Sequence, residues 1–139
     1  MATPDRKYRQ PRRFNAVSLA LLLALFAAAY VAFASWPTVA LHADVKSLLE
    51  DALPRLYRAN LLPEPESTVG SEEIRQGVIE KLTALGIADP ENALTISRDA
   101  RVVAMAVRLR TAIDLKLIHR KIPLTLNPRV ETSAERVSF

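Results

Sequence analysis

The chain has 139 residues, half of them hydrophobic, with no cysteine. Disulfides, thiolate nucleophiles and cysteine-ligated metals are therefore excluded. Nineteen Lys/Arg stand against fifteen Asp/Glu, but residues 1–13 hold five of the bases and one of the acids, leaving fourteen of each elsewhere. The high isoelectric point, near 9.8, comes from that short arm. The body that would bind nucleic acid is neutral, so a nucleic-acid partner is not expected.

Residues 14–36, FNAVSLALLLALFAAAYVAFASW, carry no charge and directly follow Arg6, Lys7, Arg9, Arg12 and Arg13. At about 1.5 Å per residue, a helix of this length crosses a hydrocarbon core of about 30 Å. Basic residues beside a span stay on the cytoplasmic side. This places residues 1–13 in the cytoplasm as a basic arm and residues 37–139 outside. Arg9, Arg12 and Arg13 set the topology, and Tyr30 and Trp36 suit the interfacial aromatic belt. Ala32-Phe33-Ala34 has the form of a signal-peptidase site, which offers a cleaved secretory signal as the alternative. The apolar run exceeds the usual signal core of about 7–15 residues, which favours an uncleaved anchor.

Ala16, Ala20, Ala24, Ala28 and Ala32 recur at every fourth position. Such a row is a ridge of small side chains, along which a second helix backbone can approach closely. It reads either as a seam for a partner helix or as a consequence of alanine-rich composition. No charge interrupts the span, which argues against an ion path through it.

Beyond Pro37 the pattern turns amphipathic. Leu41, Val45, Leu48, Leu49, Ala52, Leu53, Leu56 and Tyr57 keep helical spacing, defining a helix over residues 37–60. Pro37 marks either a break or a kink in one continuous helix, and Pro54 is expected to kink it. Asn60 to Gly70 reads as a loop. Ser71, Glu72 and Glu73 suit the start of a second helix, with Ile74, Val78, Ile79, Leu82 and Leu85 as its buried stripe and Gly86 as its C-terminal cap. Asp89-Pro90-Glu91-Asn92 reads as a turn.

The last third alternates with strand period. Leu94 and Ile96 form a first strand, followed by a turn at Arg98-Asp99-Ala100. Val103, Met105, Val107, Leu109, Ile113, Leu115 and Leu117 share one parity. Residues 102–107 are apolar on both faces, as in a central strand. A single strand over residues 101–117 is too long, so a bend or turn is expected between Arg110 and Lys121; a helix is the competing reading. Ile122, Leu124 and Leu126 form a further strand, placed at an edge by Pro123. Residues 131–139 read as a polar tail. The fold class that emerges is α+β. One transmembrane helix precedes a small domain (residues 61–130) in which two helices pack on an antiparallel sheet of three or four strands.

Chemistry is sparse. His42 and His119 are far apart and lack partners at ligand spacing, whereas a catalytic zinc needs three protein ligands. Gly70, Gly77 and Gly86 are too scattered for a phosphate loop, and there is no nucleophile elbow. Glu72 and Glu73 are neighbours on a helix and do not face each other. Arg98, Arg101, Arg108 and Arg110 read as a solvated sheet face balanced by Asp99 and Asp114. No catalytic, cofactor-binding or metal-binding residues are assigned, no cofactor is expected, and no small-molecule substrate is evident.

The order of basic arm, span, helix, a helix containing SEEIRQGVIEKL and strands ending near PLTLNPRVE resembles a family of short, uncharacterised single-span bacterial membrane proteins. This implies an envelope location in the bacterial inner membrane, with the C-terminal domain periplasmic, and no catalytic residues. Arg12-Arg13-Phe14-Asn15-Ala16-Val17-Ser18 resembles the start of type IV pilin-like subunits, in which Phe opens an apolar helix that packs on an antiparallel sheet. Arg13 stands where that pattern has a small residue, and Ser18 where it has Glu. The expected function is that of a non-enzymatic accessory or scaffold subunit of an envelope complex. Its partners are the lipid bilayer and, through the span, another membrane protein or a second copy. The alternatives are a pilin-like subunit of a type IV pilus or type II secretion machine, and a small secreted binding domain bearing a signal peptide.

Overall fold

The computed structural model describes residues 15–99 and 102–133. The chain divides into two compact units, Met1–Ala34 and Ser35–Phe139. A first helix, α1 (Ala16–Asn60), supplies the described part of the first unit and opens the second. It continues through both Pro37 and Pro54, so Pro37 does not end the helix. Each proline leaves the carbonyl four residues earlier, Phe33 or Glu50, without a helical donor.

In the second unit α1 is followed by α2 (Glu66–Ala84), a single helical turn α3 (Pro90–Ala93), β1 (Leu94–Arg98), β2 (Val102–Val107), β3 (Leu109–Leu115), a 3-10 turn (Lys116–Ile118), β4 (Arg120–Leu126) and β5 (Arg129–Ser133). The class is α+β, with antiparallel sheets of three strands in the order β1-β2-β5 and of two strands, β3-β4.

The core forms where both periodicities place their apolar faces. From α1 come Val45, Leu49, Ala52, Leu53 and Leu56; from α2 come Val78, Ile79 and Leu82; from the strands come Leu94, Val103, Met105, Val107 and Leu109. The α1 positions advance by three or four residues, which keeps them on one stripe. Strand register matches the helix stripe in purpose. Leu94 lies opposite Val107 and Ile96 opposite Met105, and Met105 also lies opposite Val130, so one parity of three strands faces the helices. Ala104 on the other face of β2 is buried too, as the double-sided apolar pattern of residues 102–107 predicts for a central strand.

Four expectations need correction. The second helix begins at Glu66, five residues before the expected start at Ser71, and the loop shortens accordingly. Ser71 is buried inside α2, where its one hydroxyl proton is shared between the Ser67 carbonyl at 2.6 Å and Asn60 Oδ1 at 3.3 Å. It ties α2 to the end of α1 instead of capping a helix. Asp89–Asn92 leads into a turn of helix, Pro90–Ala93, with proline at its start, where the missing N–H costs nothing.

Residues 101–117 break twice. The expected turn falls at Lys116–Ile118, ending on His119 with φ 51°. Leu117, which shares the inward parity, lies in that turn and is 73% exposed. The unexpected break is at Arg108, between β2 and β3. There Arg108 N–H donates to the Ala93 carbonyl at 2.9 Å and Val107 N–H to the Pro128 carbonyl at 3.0 Å. Both neighbours of β2 end at this level, so β3 takes a new partner, β4, and starts a second sheet. Finally, residues 129–133 are an edge strand on β2, crossing the expected boundary between domain and polar tail. Among its described side chains Val130 is the one hydrophobic packed on the core, so the segment reads as polar.

The turn Arg98–Asp99 joins antiparallel β1 and β2, with Asp99 N–H donating to the Val102 carbonyl at 2.8 Å; Ala100 and Arg101 lie outside the described residues. Gly86 adopts φ 82°, and Ile87 N–H returns to the Leu82 carbonyl at 3.2 Å, closing α2 with the left-handed cap expected there.

Candidate membrane-spanning and docking surfaces

In the first unit α1 is uncharged and strongly apolar over at least 18 residues, none of them buried. Nine large apolar side chains from Val17 to Phe33 are between 46% and 82% exposed. At about 1.5–3 kcal/mol for each side chain fully covered, leaving this surface in water costs on the order of 10 kcal/mol. A helix of this length and composition can cross a membrane, and a signal sequence near an N-terminus has the same signature.

The five alanines of the row, Ala16, Ala20, Ala24, Ala28 and Ala32, all lie on α1 and are all exposed. Each four-residue step turns about 40° around the axis, so the row winds across the helix as an inclined ridge flanked by Leu and Phe. Tyr30 is half-buried, and Trp36, in the second unit, is 69% exposed. Arg9, Arg12 and Arg13 lie outside the described residues.

The second unit presents three surface features. Between α1 and α2 runs an open cleft of about 220 Å³. Leu48, Ala52, Ile74 and Val78 form its apolar floor, and Asp51, Arg55, Glu73 and Lys81 its mixed-charge rim. Gly77 borders the cleft, and a Cβ placed there would meet nothing within 4 Å. Sequence reasoning treats Gly77 only as one of three scattered glycines; its position inside a helix is the signal that a surface opens there. Beside the cleft, Glu72, Glu73, Gln76 and Glu80 give α2 an acidic face. Glu72 pairs with Arg75 at 3.6 Å on the exposed surface, a contact worth little in water.

The third feature is the tip of the β3-β4 hairpin, where Asp114, Lys116, His119 and Lys121 surround a shallow hollow. The described arginines read as one solvated sheet face, Arg98, Arg108 and Arg110, do not share a strand ladder. Arg98 ends β1, Arg108 occupies the β2-β3 junction, Arg110 lies opposite Thr125 on the second sheet, and Arg101 lies outside the described residues. His42 is half-buried on α1 and Asp44 is exposed.

Among the described residues no group of three or more His, Asp or Glu side chains is placed to hold a metal ion. The surface features described are the exposed apolar part of α1, the α1-α2 cleft and the hairpin tip. No family model, no curated protein and no solved structure matches the chain.

Proposed function

We propose that the protein is a membrane-anchored, non-enzymatic accessory or scaffold subunit of a bacterial envelope complex. In this reading α1 holds the protein in the inner membrane with the N-terminus cytoplasmic, and the α+β unit works outside. The carrying observation is the combination within one helix. Its first half exposes an uncharged apolar surface, and its second half supplies five residues of a folded core. The alanine ridge is the contact offered to a partner helix, from a second copy or another membrane protein. The positive excess before the span, five bases against one acid, supports the orientation.

The test is alkaline extraction and protease accessibility of the full chain tagged at Phe139, followed by crosslinking in intact membranes and mass spectrometry. Retention in the membrane pellet, with the tag outside the cytoplasm, is the expected result. Release by alkali or a cytoplasmic tag refutes the reading. Self-adducts that disappear in Ala24→Leu and Ala28→Leu identify the ridge as a homotypic seam, whereas one dominant foreign adduct names the complex. An intact mass beginning beyond Ala34 selects the secreted, signal-bearing alternative.

The pilin-like alternative is favoured by one observation, a 45-residue helix whose later part packs on an antiparallel sheet. It requires a mature chain beginning at Phe14, and an intact mass that includes Met1 or Ala2 removes it.

A further inference from the structure

We infer that the tip of the β3-β4 hairpin is a second, reversible lipid contact, directed at an anionic bilayer surface. The inference rests on the membrane-anchored reading, because anchoring brings a bilayer within reach of a small domain.

The tip collects features that a soluble hairpin avoids. Leu117 and Ile118 in the turn are 73% and 59% exposed and Ile122 on β4 is 46% exposed, while β3 buries Leu109 and Leu115, at its two ends, to 2% and 6%. The alternation that hides apolar residues along β3 holds to Leu115 and lapses in the turn that follows. Lys116, His119, Arg120 and Lys121 are exposed around these three side chains. None of the ion pairs among the described residues involves Lys116, Arg120 or Lys121; those pairs are Lys46–Glu50, Arg75–Glu72 and Arg129–Glu131. Asp114, opposite Lys121 in the ladder, is the one acid at the tip.

Two exposed aliphatic side chains in a tight turn, ringed by cations, form the chemistry of interfacial insertion. The apolar pair enters the boundary of the acyl region, and the ammonium and guanidinium groups meet phosphate oxygens. An acidic protein surface could satisfy the cations, but the protruding Leu117 and Ile118 favour a fluid apolar phase. The hairpin geometry suits this role. β3 and β4 pair through seven consecutive positions from Leu109–Leu126 to Leu115–Arg120. At about 3.3 Å per residue the turn lies roughly 20 Å along the strand from Leu109, which belongs to the core. Each Lys or Arg near an anionic surface strengthens partitioning about five-fold, so three give a contact that depends strongly on lipid charge and on salt.

The absence of native cysteine makes the test direct. The full chain carrying Leu117→Cys is labelled with the environment-sensitive dye NBD. It is reconstituted either in phosphatidylcholine vesicles or in vesicles containing phosphatidylglycerol. Ser97→Cys, exposed on β1, is the control. The expected result is a blue shift and quenching by doxyl-labelled lipid at position 117 alone, stronger with phosphatidylglycerol and lost at high salt. The same loss is expected in the Lys116→Glu/Arg120→Glu/Lys121→Glu background. Equal iodide quenching at positions 117 and 97 in anionic vesicles overturns the inference. If the protein still floats with those vesicles, the anchor stands and only the hairpin contact fails. Shielding of position 117 that appears only in native membranes and ignores lipid charge would assign the tip to a protein partner and also overturn it. The lipid comparison uses one unchanged protein, so it does not depend on the folding of the charge-reversed variant.

Discussion

Placing a charge at the middle of the span, Phe26→Arg, tests the membrane reading at its most sensitive point. Phe26 is 66% exposed on α1 and lies near the centre of the apolar run. Nine Leu, Val and Phe residues from Val17 to Phe33 provide the insertion preference, about −3 to −5 kcal/mol at −0.3 to −0.6 each. Arginine at a span centre costs about 2.5–3.5 kcal/mol, and the lost Phe adds about 0.5, for a total near 3–4 kcal/mol. That removes most of the preference and lowers the ratio of integrated to non-integrated chain by two to three orders of magnitude. Val17→Arg places the same charge at the end of the run, where the side chain snorkels to the interface and the penalty is much smaller. The assay is the alkali-resistant, vesicle-floating fraction of each full-length variant. A large loss for Phe26→Arg with near-normal integration of Val17→Arg is the expected pattern. Equal behaviour of the two variants would refute the reasoning, because a helix buried against protein or exposed to water has no depth axis.

The remaining predictions concern the folded unit. Leu49 is fully buried at the meeting of α1 with the other core elements; Leu49→Ala is expected to cost about 3–5 kcal/mol, read as a lowered denaturation midpoint of the full chain in detergent micelles. Gly86→Ala forces a Cβ into φ 82° and should destabilise by about 1 kcal/mol. Gly77→Ala goes the other way, stabilising by about 0.5–1 kcal/mol, because the position is helical and a Cβ there meets nothing within 4 Å. Opposite shifts in thermal midpoint for these two substitutions check both. Ser71→Val leaves Asn60 Oδ1 without its donor and places an apolar side chain of different shape in a site 3% exposed. It should cost about 1–2 kcal/mol, seen as faster amide exchange at the α1-α2 junction.

Periodicity made the α1 and α2 stripes legible, and unbroken apolar runs the candidate span and the central strand, because each repeats a physical constraint over many residues. Signals confined to one or two residues were less informative. Ser71-Glu72-Glu73 satisfies the chemistry of a helix start, yet the buried Ser71 hydroxyl bonds back to Ser67 and across to Asn60. Glu66, the acid in the true first turn, was equally present in the sequence but stood inside a proline-rich segment. Arg108 could not be recognised as a break because the alternation continues through it. The break arises from where β1 and β5 end, which is a property of the sheet and not of the local sequence. β5 was hidden for the same reason, since an edge strand with one face in water needs few apolar residues. Of the candidate surfaces, the span was readable from length and charge. The α1-α2 cleft was not, because it depends on how two helices far apart in sequence approach around Gly77.

The three-stranded sheet also dictates an order of events during synthesis. β2 lies between β1 and β5, so the sheet stays open on one side until residue 133 has emerged, long after α1 is complete at Asn60. At about 5–20 residues per second, translation of the intervening segment takes roughly 4–15 s. During the first part of that interval Val45, Leu49, Leu53 and Leu56 lack any strand to cover them, and β1, β2 and finally β5 arrive in turn. Until its last edge strand arrives, a nascent chain of this design leaves one side of β2 without its partner.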